Sequence, residues 1–148
     1  MTRDSRSVIL VARILLAVMF FISGLHKIAD PQGTQQYMSA MGMTWFTGVF
    51  YVGAIIVEIV GSVSLLLGYH ARLGAWLLVL FMIPATLLFH THFADPNQMI
   101  HFLKNLSVMG GLLYVATYGA GALSMDAGLE RTTKVATPRP IVKKAVNQ

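Results

Sequence analysis

Residues 8–28 read VILVARILLAVMFFISGLHKI, an apolar run interrupted by one arginine and closed by His26-Lys27. An α-helix rises ~1.5 Å per residue and the hydrocarbon layer is ~30 Å thick, so ~20 such residues cross a bilayer. The run meets that length. It is too long for the apolar segment of a secretory signal, and it ends in His26-Lys27-Ile28 where a cleavage site needs small residues. The expectation is a first transmembrane helix that stays attached.

Three further runs follow it: Trp45 to Gly68, Leu73 to Phe89 and Met99 to Tyr118. The third is short, so His90-Thr91-His92 must carry it to the interface. Together they predict an all-α fold, a four-helix transmembrane bundle with helices about 8–28, 45–68, 73–92 and 99–118. Composition agrees. Of 148 residues, 55% are hydrophobic and 11% charged, where a soluble domain carries about 25% charged. The mean hydropathy is +0.65. The absence of cysteine excludes disulfides, thiolate chemistry and Cys-ligated zinc or iron–sulfur centres. The formal net charge of +5 collects at the two ends, where it can meet anionic lipid. No basic face alternates with aromatics, so nucleic acid is not an expected partner.

Orientation follows from the lysines and arginines. Arg3, Arg6, Arg13, Arg72, Arg131, Lys134, Arg139, Lys143 and Lys144 fall on one side of the predicted bundle, and Lys27 and Lys104 on the other. The first group belongs inside, which makes both termini cytoplasmic and the protein a multi-pass protein of the cell (inner) membrane. Residues 1–126 form the bundle, and residues 127–148 are expected to be a basic, disordered cytoplasmic tail near the membrane surface. In the loop from Pro31 to Thr44, Tyr37, Met38, Met41 and Trp45 recur at near-helical spacing, which predicts a short interfacial helix broken at Gly42. Ala29-Asp30-Pro31 and Ala94-Asp95-Pro96 read as helix stops, because proline drives the preceding residue out of the α region.

Polar side chains in hydrocarbon are costly, so each needs a reason. Glu58 lies near the middle of the second run, and Arg13 is the basic residue expected within reach, at an axial gap of ~7 Å by helical rise. A buried Arg13–Glu58 ion pair is the structural expectation; a proton-carrying or substrate-binding carboxylate is the functional alternative. A second group collects at the opposite surface. His26 and Lys27 close the first run, His90 and His92 close the third, and His101, Lys104 and Asn105 share one face at the start of the fourth. Each lysine alone reads as an interfacial anchor. Convergence from three helices instead suggests a place for a quinone head or a small anion. Thioether and imidazole ligands also stand on this side, at His90-x-His92, Met99-x-His101 and Met38-x-x-Met41-x-Met43. Without a tight multi-His spacing no metal site is assigned. Small residues mark helix contacts: Ser107 with Gly111, Ser64 with Gly68, and Gly24, Gly61 and Gly110. Pro84 should kink the third helix, with Thr86 satisfying freed backbone groups.

These pieces, taken in order, resemble the DoxX family of four-helix membrane proteins. The matching residues are Arg13-Ile14-Leu15-Leu16, Ser23-Gly24-Leu25-His26-Lys27, Glu58 with Gly61, Leu65-Leu66-Leu67-Gly68, the His90 region, Lys104-Asn105-Leu106 and Gly110-Gly111-Leu112-Leu113. The ending Gly119-Ala120-Gly121-Ala122-Leu123-Ser124-Met125-Asp126 completes them, with Gly-Ala-Gly where the family has Gly-Pro-Gly. The resemblance covers Val8 to Asp126. It implies a membrane subunit of a quinone-linked oxidoreductase system, with quinone and a redox partner protein as expected partners and no tightly bound cofactor. A non-catalytic scaffold or anchor, a small-solute or proton carrier, and a homo-oligomer are the alternatives.

Overall fold

The computed structural model describes residues 3–136. Six helices follow one another: α1 Arg3–Ala29, α2 Pro31–Ala40, α3 Thr47–Leu67, α4 Ala71–Phe89, α5 Pro96–Tyr118 and α6 Met125–Ala136. Four of them, α1, α3, α4 and α5, are long and apolar enough to cross a membrane. Helix α1 packs on α3, α3 on α4 and α4 on α5, and α5 returns to α1 where Gly111 meets Leu16. The core is a narrow seam of small and branched residues, among them Ala17, Leu65, Ala75, Leu78 and Leu112. Leu15, Val49, Leu73, Leu80 and Ile100 point outward, the surface expected where lipid replaces water.

The helix ends follow from local chemistry. Asp30 and Asp95 stand as N-caps, their carboxylates accepting from the Gly33 and Asn97 amides at 2.9 Å each, with Pro31 and Pro96 in the first turn. Proline has no amide to satisfy there and its φ suits a helix start. Ala29-Asp30-Pro31 therefore ends α1 and begins α2, whereas α4 has already ended at Phe89 and Ala94-Asp95-Pro96 only begins α5, a helix start in place of the stop expected there. Helix α2 is the short helix expected in the first loop, and the chain leaves it through Gly42 at φ +93°. Helix α3 begins at Thr47 and α4 ends at Phe89, so Trp45 and His92 lie outside the helices assigned to them from sequence.

Residues 127–136, expected as the start of a disordered tail, are helical together with Met125 and Asp126. They form α6, because Ser124 accepts from the Ala127 amide at 3.2 Å and Asp126 sits in the first turn, both favourable at a helix start. The remainder of the expected tail lies outside the described residues.

Glycine sets the closest approaches. A Cβ on Gly61 would stand 2.6 Å from Leu78 Cγ, and one on Gly74 2.4 Å from Ser64 Oγ, which fixes α3 against α4. Gly110 meets nothing within 4 Å and is no helix contact. Pro84 lies inside α4, but Thr86 serves a different purpose from the one expected: its Oγ1 accepts from Asn105 Nδ2 at 3.0 Å, tying α4 to α5.

Candidate functional site

Helical side chains lean toward the N-terminus of their own helix. In an antiparallel bundle this rule decides who meets whom. Lys27 stands near the C-terminal end of α1, so its chain leans back into the bundle, toward Ser23 one turn earlier. Glu58 stands on α3, which runs the opposite way, so its carboxylate leans toward the same level. The two meet. Lys27 Nζ donates to Ser23 Oγ at 2.8 Å and to Glu58 Oε1 at 2.9 Å, and lies 2.9 Å from Oε2. Ser23 donates to Oε1 at 3.1 Å. Glu58 is 3% exposed. Tyr51 closes the motif by donating to the Lys27 carbonyl at 2.8 Å, one of the acceptors a helix end leaves without an internal partner.

The expected Arg13–Glu58 pair therefore does not form, for two reasons. The antiparallel register sets Gly24 against Glu58 and Ile59, and Gly68 against Arg13, so the axial gap is about 16 Å by helical rise rather than ~7 Å. The arginine also leans toward the start of α1, away from Glu58. Arg13, 2% exposed, donates instead to the carbonyls of Ala120 and Leu123, the latter at 3.0 Å. Those carbonyls belong to the turn after α5, where Gly119 and Gly121 take φ of +83° and +80°. Asp126 completes this end: its carboxylate accepts from the His70 and Ala71 amides at 2.8 and 3.2 Å, and its own amide donates to the Gly68 carbonyl at 2.9 Å. The Arg13 end of the molecule is a structural clasp.

Above the Lys27–Glu58 pair lies a cavity of about 830 Å³, bounded by α1, α2, α3, α4 and α5. Its walls are apolar, from Met19, Phe20, Phe81, Met82 and Phe89, and α2 contributes Tyr37 and Met38. Tyr37 stacks on Phe89 with ring centroids 5.8 Å apart. Among the sequence-predicted residues, His26, Lys27, His90, Lys104 and Asn105 all line this space, together with Glu58. His101 stands beside them, its ring 5.2 Å from that of His90 and its Nδ1 3.3 Å from Lys104 Nζ. Helix α5 runs inward from its start, so Lys104 leans outward, opposite in sense to Lys27. His90 Nδ1 pairs with Gln98 Oε1 at 2.8 Å. His92 is exposed and does not line the cavity. Six of the expected residues thus gather at one end, and His92 stays apart.

Sequence reasoning gave Ser23, Tyr37 and Thr86 other roles (a family motif, the interfacial helix and the Pro84 kink) and missed Tyr51 and Gln98 altogether. Ser23 alone carried a readable signal, the i, i+4 spacing to Lys27 that places both on one helix face. The others come from partner helices, whose facing is not local information.

The fold and its cavity can be set beside known proteins. The family model for DoxX matches residues 8–91. The inner membrane protein YqjF of Escherichia coli (strain K12) is 38% identical over 123 residues, 83% of this chain and 92% of that protein. The inner membrane protein YphA of the same strain is 32% identical over 127 residues, 80% of this chain and 87% of that one. The ER-derived vesicles protein ERV29 of Saccharomyces cerevisiae (strain ATCC 204508 / S288c) is 31% identical over 88 residues, which are 56% of this chain but 26% of its own length. No solved structure matches the chain.

Proposed function

The chain belongs to the DoxX family, and on that footing we propose that it is a multi-pass inner-membrane protein whose cavity holds the head of a membrane-dissolved quinone. In this reading it serves a quinone-linked oxidoreductase system as a membrane subunit. The observation that carries the reading is the cavity itself: about 830 Å³, within the usual range for small-molecule sites of ~300–1,000 Å³, apolar in its walls and polar at its two ends. A quinone needs that division, because its ring and tail favour hydrocarbon while its oxygens need polar partners. Lys104 offers ammonium donors at the outer end and Lys27–Glu58 marks the inner one. A quinone supplies two-electron redox chemistry when bound; the chain's own residues orient its head and exclude water from it. The inner-membrane placement draws on YqjF and YphA, both described as inner membrane proteins.

The pairing of Glu58 with Lys27 weakens the proton-carrier alternative, since the carboxylate is already engaged. The test is retention. Protein extracted with surrounding lipid should carry quinone at near-equal stoichiometry by mass spectrometry, and Ala85→Phe, which projects into the cavity, should lower it severalfold. A wild-type protein that holds no quinone and takes up none when it is added sinks the reading.

A further inference from the structure

We infer that the cavity opens sideways into the bilayer between α1 and α5, so that its ligand is an amphiphile that arrives from lipid and leaves its hydrocarbon chain there. The inference rests on the reading above only in taking the cavity as a ligand site. It names the route and the chemical class, whatever the head group.

The ground is how the two helices are held. On the cavity side α1 is drawn to α3, where Lys27 pairs with Glu58 at 2.9 Å and Gly24 lies against Glu58 and Ile59. Helix α5 is drawn to α4 instead, where Asn105 donates to Thr86 at 3.0 Å. The two helices come together only farther along, at Gly111 against Leu16 and through the Arg13 clasp. Among the described residues, no hydrogen bond or ion pair joins α1 to α5 on the cavity side of Gly111.

Both lips of the seam show the gap. Met19, Ile22, Ser23 and His26 line the cavity at i, i+3, i+4 and i+7, one stripe on the flank of α1 away from Gly24. Packing of α5 along that stripe would bury it, yet Ile22 is 48% exposed while it lines the cavity. On α5, Lys104 and Ser107 stand seven and four residues before Gly111, on the side that meets α1, and both are exposed. The small-residue face that closes on Leu16 at Gly111 therefore gapes one turn away at Ser107.

Depth fixes the chemistry of what enters. Ile22 precedes the last residue of α1 by seven positions and Ser107 follows the first of α5 by eleven, about 10 and 16 Å by helical rise. A mouth at those depths lies within a ~30 Å hydrocarbon layer and faces acyl chains. The aqueous end is crossed by α2, with Met38 buried and Tyr37 stacked on Phe89. A water-soluble solute would have to pass through lipid to reach the mouth, whereas a chain-bearing amphiphile already lies beside it.

The test is photolabelling of the full chain, freed of quinone in detergent and placed in nanodiscs whose phospholipid carries a diazirine in its acyl chain. Mass spectrometry should find adducts on Phe20 and Met82, cavity-wall residues only 3% and 4% exposed. Leu78 and Leu112, fully buried away from the cavity, should stay unlabelled. Ser107→Trp, which fills the α5 lip, should lower the Phe20 and Met82 adducts severalfold, and Leu80→Trp on the outer face of α4 should not. Ile22→Trp on the opposite lip serves where Ser107→Trp fails to fold. Labelling of exposed Leu15 without Phe20 or Met82 means a closed seam and overturns the inference, as does labelling that neither lip variant lowers. Neither result touches the quinone reading, which stands or falls on retention. Labelled cavity walls in a protein that binds no quinone would keep the opening and remove the quinone.

Discussion

Lys27 of α1 and Glu58 of α3 form an ion pair in which one ammonium nitrogen lies 2.9 Å from both carboxylate oxygens. The lysine stands near a helix end, where the usual course is to run outward to the head groups. It turns inward because the lean of a helical side chain toward its own N-terminus carries it there. The carboxylate is 4% exposed and the lysine 19%, so the pair is anchored from the α3 side and reachable from the cavity.

That asymmetry yields the first prediction. Lys27→Met leaves a carboxylate in an apolar wall and should cost about 3 kcal/mol. Glu58→Gln leaves a lysine able to swing toward the cavity, and should cost less. The double variant should recover part of the Lys27→Met loss, with a coupling of at least ~1 kcal/mol. Thermal unfolding in detergent or nanodiscs measures all three. Simple additivity would mean that the two residues act independently.

Arg13 gives the second. Its guanidinium fork satisfies the carbonyls of Ala120 and Leu123 at once, and hydrogen bonds to charged groups are worth ~1.5–3 kcal/mol each. Arg13→Ala should lower stability by about 3 kcal/mol on that scale, and Arg13→Lys should restore less than half, because a point charge cannot span both acceptors. The effect should add to that of Glu58→Gln. Protease cutting between Gly119 and Ser124 in the alanine variant checks the local part.

Much of this was legible. The four spans came from length and apolarity, and α2 from the spacing of Tyr37, Met38 and Met41. Convergence of His90, His101, Lys104 and Asn105 came from counting residues to a common surface. The partner of Glu58 did not. Matching Arg13 to Glu58 by depth required an inter-helix register, and register is set by Gly24 facing Ile59 and Gly68 facing Arg13, contacts between residues distant in sequence. The direction of lean was available and would have favoured Lys27. The charge of residues 127–136 predicts a tail, while Ser124 and Asp126 already spell a helix start.

Two glycines make a matched third prediction. Gly61→Ala sets a Cβ 2.6 Å from Leu78 Cγ, and overpacking of this kind costs ~1–3 kcal/mol. Gly110→Ala enters open space and should be neutral or stabilising by up to ~1 kcal/mol, the usual gain over glycine inside a helix. Unfolding temperatures of the two variants should move in opposite directions or differ clearly in size.

Membrane orientation is the fourth. The surplus of arginine and lysine near Arg13 and beyond Tyr118 predicts that this end faces the cytoplasm. Single cysteines at Gln35 and Asn97 should react with an impermeant maleimide applied to sealed cells, and one at Glu130 should react only after the membrane is opened. Labelling of Glu130 from outside would reverse the orientation and put the cavity on the inner leaflet.

The last prediction separates the cavity from the surface around it. Lys104 and His92 are both polar residues near the same end of the bundle, and both were candidates from sequence. Lys104 lines the cavity and holds His101 at 3.3 Å, whereas His92 is exposed on the connection between α4 and α5 and does not line it. If the cavity binds a quinone-type head, removing the ammonium donor should weaken binding by roughly tenfold, the worth of one bond to a charged group. Lys104→Met should show that loss for quinone and quinol alike, because its donors serve either oxygen. His92→Ala should leave both affinities unchanged. Unfolding temperature should barely move in either variant, since both side chains are exposed and surface substitutions usually stay within ±0.5 kcal/mol. Equal losses from both substitutions would instead mean that the basic surface attracts ligand by charge alone. In that case raising the salt should abolish the binding, because screening shortens the reach of exposed charges to about 3 Å at 1 M. A ligand seated between Lys104 and Glu58 should persist there.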